Sequence, residues 1–491
     1  MKRFLALSII LFSFTAAYAK DIVLYHTGDT HGHYFAEDDG KGNLRGGFPA
    51  LAAFIKKDSA DNPHYLLLDS GDFLQGSLEA DESKGATSVE VFNAVGYNAV
   101  TIGNHEFDFN GALSARAAGL NADIIAANFE GIPNAVPYKI YDLDGFKIVV
   151  VGIGLNGDKN KNFKELDTIE SYRKAIEAAS ALKPDAVVLL THLSCEDKRL
   201  PVGPKTLVES FAKKPQVVLS GHAHVKKIKT EKGTLFVESG ANVQSLSKIT
   251  MSFDDNTKQF TGASAVNVEL YISKTGEDEE IKTLVESIRN PAYDNIVCET
   301  NNCLLFDSSK RRVLDNELSN FLTRAMKQAA AEGEAVDFAL INTKSFRDDI
   351  PKGAVKERDI KRAAPYDDKL AIVKADGAFI EKLIRETIAP DFSLFQFSGL
   401  KIKAVFAGGE VKRLNIKING KPLDPQKKYT FIANEAMAIA CKYEGEHFKY
   451  IPAEDKKSVD ISTKALLIEA LNEPDFKVPG TGNIKVRNKK R

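Results

Sequence analysis

The ten residues Ala99 to Asp108, AVTIGNHEFD, contain the pattern that decides the fold. Ala99–Ile102 is a short apolar run rich in β-branched residues, which predicts a buried strand. Gly103 breaks the run. Asn104, His105, Glu106 and Asp108 then crowd polar groups into the turn that follows. The same arrangement recurs on four other apolar runs. Ile22–His26 leads into Asp29-x-His31, and Tyr65–Leu68 into Gly71-Asp72. Ala186–Leu190 leads into Thr191-His192, and Val217–Leu219 into Gly221-His222-x-His224.

Ile148–Ile153 and Leu235–Val237 read as two further strands. Phe48–Lys57, Val89–Ala94 and Tyr172–Leu182 carry helical spacing between the runs. This alternation predicts a layered α/β domain. Ligand sites in such domains gather at the carboxyl ends of strands, where five separate runs here deliver Asp, Asn or His. Carboxylate, carboxamide and imidazole suit Zn²⁺, Mn²⁺ or Fe rather than a thiolate site. Two cations held close together repel, and a shared aspartate offers the anionic bridge they need. His26 and His33 read as supporting or structural residues.

Composition changes near residue 270. A polar acidic stretch from Gly276 precedes a helix running to Arg289, and Asn290-Pro291 is a break. The expected organisation is a catalytic domain over 20–269, a linker helix within 270–300 and a second α/β domain over 301–491. The second domain opens with an amphipathic helix, Asn316–Ala331. Strands Phe338–Ile341, Leu370–Lys374, Lys401–Phe406, Leu414–Ile418 and Tyr429–Ala433 follow, with helices Gly377–Thr387 and Ser462–Leu471.

The formal net charge is -1 over 491 residues, so no global field favours nucleic acid or an anionic membrane. The basic stretch Lys485 to Arg491 reads as a solvated tail. At the other end, Met1-Lys2-Arg3, the apolar run Phe4–Phe14 and Ala17-Tyr18-Ala19 fit a secretory signal peptide over 1–19. Export, with a periplasmic destination, is expected. No other segment is apolar for long enough to insert stably in a membrane. The four cysteines lack the Cys-x2-Cys spacing of a zinc finger. Cys298 and Cys303 are close enough to bridge a short loop, and spacing alone leaves that open.

Taken in order, Asp29-x-His31, Gly71-Asp72, Gly103-Asn104-His105-Glu106, His192 and Gly221-His222-x-His224 resemble the calcineurin-like metallophosphoesterase superfamily. Within it the chain is most similar to the 5′-nucleotidase family, which includes periplasmic nucleotide and UDP-sugar hydrolases and 2′,3′-cyclic nucleotide phosphodiesterases. The second half resembles it too, in Asn342–Gly353, Ala364-Pro365-Tyr366 and Asn419–Asp424. The fold so implied is an N-terminal αββα sandwich plus a C-terminal α/β substrate-binding domain.

The resemblance implies two divalent metal ions, expected to be Zn, Mn or Co. Asp29, His31, Asp72 and His224 would hold one. Asp72, Asn104, His192 and His222 would hold the other, with Asp72 as the bridge. His105, held by Asp108, would face the phosphate. Two cations would lower the pKa of a bound water to give a hydroxide nucleophile, and His105 would stabilise charge in the transition state. Arg347 and Arg312 are candidate substrate clamps. Tyr366 is a candidate base-stacking platform, and Asn342 could read a base edge. Tyr443 and Glu444 stand in for a second aromatic and a ribose-binding acid. The expected activity is phosphate release from a small phosphate ester, a nucleotide, with no nucleic acid polymer as partner. Alternatives are a cyclic-nucleotide phosphodiesterase/3′-nucleotidase, a UDP-sugar hydrolase, or a periplasmic binding protein without catalysis.

Overall fold

The computed structural model describes residues 19–39, 41–109, 111–156, 162–195, 200–306, 314–331, 334–390, 392–441, 445–473 and 479–488. The signal peptide expected over 1–19 falls outside these except for Ala19. The chain divides between Arg289 and Asn290 into two compact units.

In the first unit, strand Ala19–Thr27 lies inside a seven-stranded sheet. It pairs in parallel with Tyr65–Asp69 and antiparallel with Ser245–Asp254. Ala99–Val100, Asp123–Ile125 and Ala135–Val136 continue the sheet beyond Tyr65–Asp69, and Phe260–Glu269 closes the other edge. A second sheet has six strands, ordered Lys226–Glu231, Thr234–Ser239, Val217–Ser220, Ala186–Thr191, Phe146–Ile153, Tyr138–Leu143.

The apolar runs are continuous because both faces of each strand are covered. Ile22 and Leu24 meet Ile148, Val150, Val188, Leu190 and Leu219 in the core between the sheets. The intervening Val23 and Tyr25 face the other way, toward Phe48, Leu51 and Ile55 of helix Phe48–Asp58. On the second sheet, Val149, Val151 and Ile153 pack on Tyr172, Ala175, Ile176 and Ala179 of helix Thr168–Ala181. The result is the four-layer αββα sandwich expected from the motifs. Full burial of each such side chain contributes about 1.5–3 kcal/mol.

The helix expected before Arg289 spans Glu279–Ile288 and is capped by the Asp278 side chain, which accepts from the backbone N–H of Glu280 and Ile281. Its Ile281 and Val285 are buried in the core of the first unit, alongside Phe48 and Leu51.

The second unit holds a five-stranded sheet in the order Phe395–Ser398, Phe338–Asn342, Lys428–Asn434, Lys369–Asp376, Lys456–Ser462. Leu318, Leu322 and Met326 of helix Glu317–Ala331 cover one face together with Leu467 of helix Thr463–Leu471. Ile380, Leu383 and Ile384 of helix Gly377–Thr387 pack against Phe338, Leu340 and Phe431 on the other. A four-stranded sheet follows the order Lys421–Pro422, Glu410–Ile418, Leu400–Ala407, Ile484–Asn488.

That last strand corrects the reading of Lys485 onward as a solvated tail. Ile484–Asn488 pairs in parallel with Ile402–Phe406. Its Ile484 is buried and its Val486 packs on the same core. The charges in this short run masked a period-two apolar pattern. All four cysteines are free thiols, so Cys298 and Cys303 form no bridge here.

Candidate active site

Each expected ligand of the first unit sits just past the end of a strand. The structure sorts the acidic and imidazole ligands into two groups, Asp29 with His31 and His224, and Asp72 with His192 and His222. Within each group one ligand atom per residue lies within 4.8 Å of the others. The grouping parallels the two sets that the resemblance implies, without Asn104 and with Asp72 in one group alone. Each group draws on both sheets. Asp29, His31 and Asp72 follow strands of the seven-stranded sheet, while His192, His222 and His224 follow strands of the six-stranded one.

Backbone geometry shows how the loops are forced into place. Asp29, His31, Asp72, His222 and His224 have φ of 51°, 49°, 60°, 76° and 58°. Left-handed backbone costs an L-residue roughly 1–2 kcal/mol, although Asp, Asn and His tolerate it best. It persists only where the surroundings hold it. Here Asp29 N–H donates to Gly71 O and His31 N–H to Asp72 O, both at 2.9 Å, so the first two loops clasp each other. The Asp29 carboxylate accepts from His222 N–H at 3.0 and 2.8 Å, which joins the loop of the second sheet. His105 N–H donates to Asp72 Oδ1 at 2.7 Å. Gly103 admits that approach, since a Cβ there would stand 2.2 Å from Asp72 Oδ1.

Glu106 has a role that the motif alone did not reveal. Its buried carboxylate accepts from the backbone N–H groups of Asp72 (2.8 Å), Phe73 (2.8 Å), Leu74 (3.1 Å) and Gly103 (2.6 Å). It thereby holds the loop that presents Asp72. An acid one residue beyond His105 was the only sequence signal. His26 is buried between the sheets, with Nε2 2.7 Å from Ser70 Oγ and Nδ1 2.5 Å from Ser239 Oγ. It is a supporting residue. His33 Nδ1 lies 3.3 Å from Glu37 Oε1, away from both ligand groups.

The donors fit a pair of divalent cations. His31 Nδ1 lies 2.9 Å from Gln75 O and His192 Nδ1 2.6 Å from Ser70 O. A carbonyl accepts only from N–H, so each Nε2 presents a lone pair in the neutral ring. Those Nε2 atoms face other acceptors. His31 Nε2 is 3.1 Å from His224 Nε2, and His192 Nε2 is 3.0 Å from Asp72 Oδ2. Among the described residues the buried Asn104 Oδ1 has no hydrogen-bond partner. Electron pairs turned toward one another need a cation between them. The charges agree. Burial, then the neighbouring His224, press the His31 imidazole down to about 3. Burial opposes charge on His192 too, yet Asp72 and Asp29 push it up to about 10, so this acidic site draws a positive charge, a proton or a metal cation, onto Nε2. Burial would raise Asp29, but His224 and His192 hold it at about 2.

His105 lies at the open side of this centre. Its ring centroid is 5.3 Å from that of His31, and its Nδ1 is 2.5 Å from Asp108 Oδ2. Asp108 therefore orients the ring and directs Nε2 away from itself. His224, with a side chain 36% exposed, marks the same mouth.

In the second unit the structure brings Arg347 and Tyr366 together. Arg347 Nη2 donates to Tyr366 Oη at 3.2 Å, and the guanidinium carbon lies 5.6 Å from the ring centroid. Tyr366 is 39% exposed and Arg347 is also exposed. Asn342 lies deeper. It is 4% exposed, and its Oδ1 accepts from Ser345 Oγ at 2.5 Å and Asn434 Nδ2 at 3.4 Å. Arg312, Tyr443 and Glu444 lie outside the described residues.

Comparison with known proteins agrees with this geometry. Residues 22–226 match the calcineurin-like phosphoesterase family and residues 296–442 the 5′-nucleotidase C-terminal domain. The chain is 24% identical over 467 residues to Protein UshA of Yersinia enterocolitica, covering 83% of this chain and 84% of that protein. It is 22% identical over 467 residues to a 5′-nucleotidase of Vibrio cholerae, covering 84% and 83% respectively. Among solved structures, a 5′-nucleotidase precursor from Thermus thermophilus superposes with a TM-score of 0.80 at 21% identity, over 96% of this chain and 100% of that one.

Proposed function

We propose, from the premise that this chain belongs to the 5′-nucleotidase family of calcineurin-like metallophosphoesterases, that it hydrolyses nucleoside 5′-monophosphates to nucleoside and phosphate. The observation that carries the proposal is the pair of ligand groups with lone pairs converging from both sheets. Bound there, two divalent cations, Zn, Mn or Co, would supply Lewis acidity toward phosphoryl oxygens and acidify water. The chain's own residues do the rest. Asp72 contributes a carboxylate within reach of both groups, 3.0 Å from His192 Nε2 and 3.9 Å from His31 Nε2. His105, its Nδ1–H held by Asp108, would as the imidazolium donate from Nε2 to charge that grows on the departing oxygen, a contact worth most in the transition state. Glu106 keeps the Asp72 loop in register. The leader-like N-terminus supports export to the periplasm, and no helix among the described residues is long and apolar enough to cross a membrane.

A panel of AMP, UDP-glucose, 2′,3′-cyclic AMP and p-nitrophenyl phosphate tests this reading by product release from purified protein. The expected result is phosphate release from AMP, lost on chelation and restored by Mn²⁺, Zn²⁺ or Co²⁺. Full turnover in metal-free protein overturns the mechanism, and turnover confined to UDP-glucose or the cyclic nucleotide overturns the substrate.

Arg347 and Tyr366 are proposed to bind the substrate, the ring by stacking and the guanidinium by charge-assisted hydrogen bonds. Arg347→Ala then removes a contact worth roughly 1.5–3 kcal/mol, about tenfold to a hundredfold in kcat/KM. Because Arg347 is exposed, the melting temperature should barely move. Steady-state kinetics on AMP and p-nitrophenyl phosphate, with a thermal melt, check this. Unchanged kinetics on both substrates would remove Arg347 from the site.

A further inference from the structure

Three successive rows on one face of the four-stranded sheet in the second unit carry only positive charge. Residues opposed in a ladder project to the same side. Three successive rows set Lys401 beside Lys417, Lys403 beside Asn415 and Lys485, and Val405 beside Arg413 and Arg487. All six cations are exposed. The opposite face is apolar, with Ile402, Ala404, Ile416 and Ile484 in the core. No carboxylate stands on these rows; Glu410, opposite Ala407 in the row beyond, is paired with Lys412. Among the described residues none of the six forms an ion pair with Asp or Glu, and Lys401 alone makes a side-chain hydrogen bond, to Asn483 Oδ1 at 2.8 Å.

Folding does not explain this face. Like charges placed directly opposite one another destabilise a sheet, and Lys401 with Lys417 and Lys403 with Lys485 are two such pairs. The chain as a whole has a formal net charge of -1, so the concentration is local. With strands about 4.8 Å apart and same-face positions about 6.7 Å apart, the six cations occupy a field of roughly 10 by 13 Å. That field is flat. It carries no aromatic side chain on which single-stranded bases could stack, and a sheet lying face-on does not enter a DNA groove as a helix or ribbon does.

We propose that this face adsorbs the protein onto an anionic phospholipid bilayer surface, without insertion. A planar lattice of acidic headgroups is complementary to a planar basic field. Each Lys or Arg brought to such a surface strengthens binding roughly fivefold, and the attraction decays within a Debye length.

Co-sedimentation of the purified protein with vesicles tests the idea. One set is phosphatidylcholine alone, and the other contains phosphatidylglycerol as well, each at low and high salt. Binding is expected only to the phosphatidylglycerol vesicles and only at low salt. The combined Lys403→Gln, Arg413→Gln, Lys485→Gln and Arg487→Gln variant should bind more than a hundredfold more weakly by the same per-residue factor. Its phosphatase activity on soluble substrate should be unchanged and its melting temperature equal or higher. Lys403→Glu alone, which places a carboxylate beside Lys485, should weaken binding and serves if the combined variant does not fold. Equal binding to both vesicle sets, binding unaltered in these variants, or binding to single-stranded oligonucleotide without vesicle binding would each overturn the proposal.

Discussion

Asp72→Asn is expected to leave the protein folded but nearly empty of divalent metal and without measurable turnover, whereas His105→Ala should keep the metal and lose the rate. Asp72 is the carboxylate that faces both ligand groups, 3.0 Å from His192 Nε2 and 3.9 Å from His31 Nε2. Its other oxygen accepts from His105 N–H. An amide has one acceptor and one donor in place of two anionic oxygens. Whichever way it turns, it directs N–H either at the His105 N–H or at the imidazole nitrogens, and the negative charge that Asp72 offers to a cation is gone. His105 lacks these ties. Its ring is held by Asp108 and lies beside the ligand groups rather than within them. Removing a positioned proton donor costs typically 10²–10⁴-fold in rate. Elemental analysis after gel filtration, with phosphate-release assays, measures both. Metal retained in Asp72→Asn and lost in His105→Ala would reverse the assigned roles.

Glu106→Ala is expected to lower both stability and metal content, although Glu106 belongs to neither ligand group. Its carboxylate satisfies four backbone N–H groups at the Asp72 and Gly103 loops. Leaving a buried donor without a partner costs about 1–3 kcal/mol, so several such losses together amount to several kcal/mol. At roughly 2–4 °C per kcal/mol for a unit of this size, the melting temperature should fall by on the order of 10 °C. The left-handed Asp72, with φ of 60°, would lose the bonds that keep it in that conformation. Glu106→Gln retains an acceptor oxygen but turns an amide N–H toward backbone donors, and should fall between Ala and the parent. Calorimetry and metal analysis on both variants decide the matter. An alanine variant as stable and as metal-rich as the parent would show that the loop holds itself.

Much of this architecture is legible in the chain because it is local. A buried strand followed by a polar turn spans fewer than ten residues, and its apolar run shows wherever both faces are covered. That is why Ile22–His26 and Val217–Leu219 point to Asp29, His31, His222 and His224 without coordinates. Helix Gly377–Thr387 was readable to its ends for the same reason, since its spacing and the capping Asp376 lie within one segment. The strand Ile484–Asn488 was missed because its basic residues mask a period-two apolar pattern of only two residues, Ile484 and Val486, which a partner strand makes plain.

What the sequence determined by itself was the set of candidate ligand residues and the strand ends that carry them. How they divide was implied only by resemblance, and the tertiary structure supplies its physical basis. Asp29 and His31 join His224 from almost two hundred residues away, and Asp72 joins His192 and His222. This division depends on how two sheets stack through Ile22, Leu24, Val150 and Leu190, and on loops held in left-handed backbone by bonds from other loops. Glu106 belongs to the same class, because a carboxylate beside a histidine reads as a possible ligand until three N–H groups from the distant Asp72 loop are seen to converge on it. Periodicity reports the environment of a short segment, whereas these features come from bonds between segments that only packing brings together.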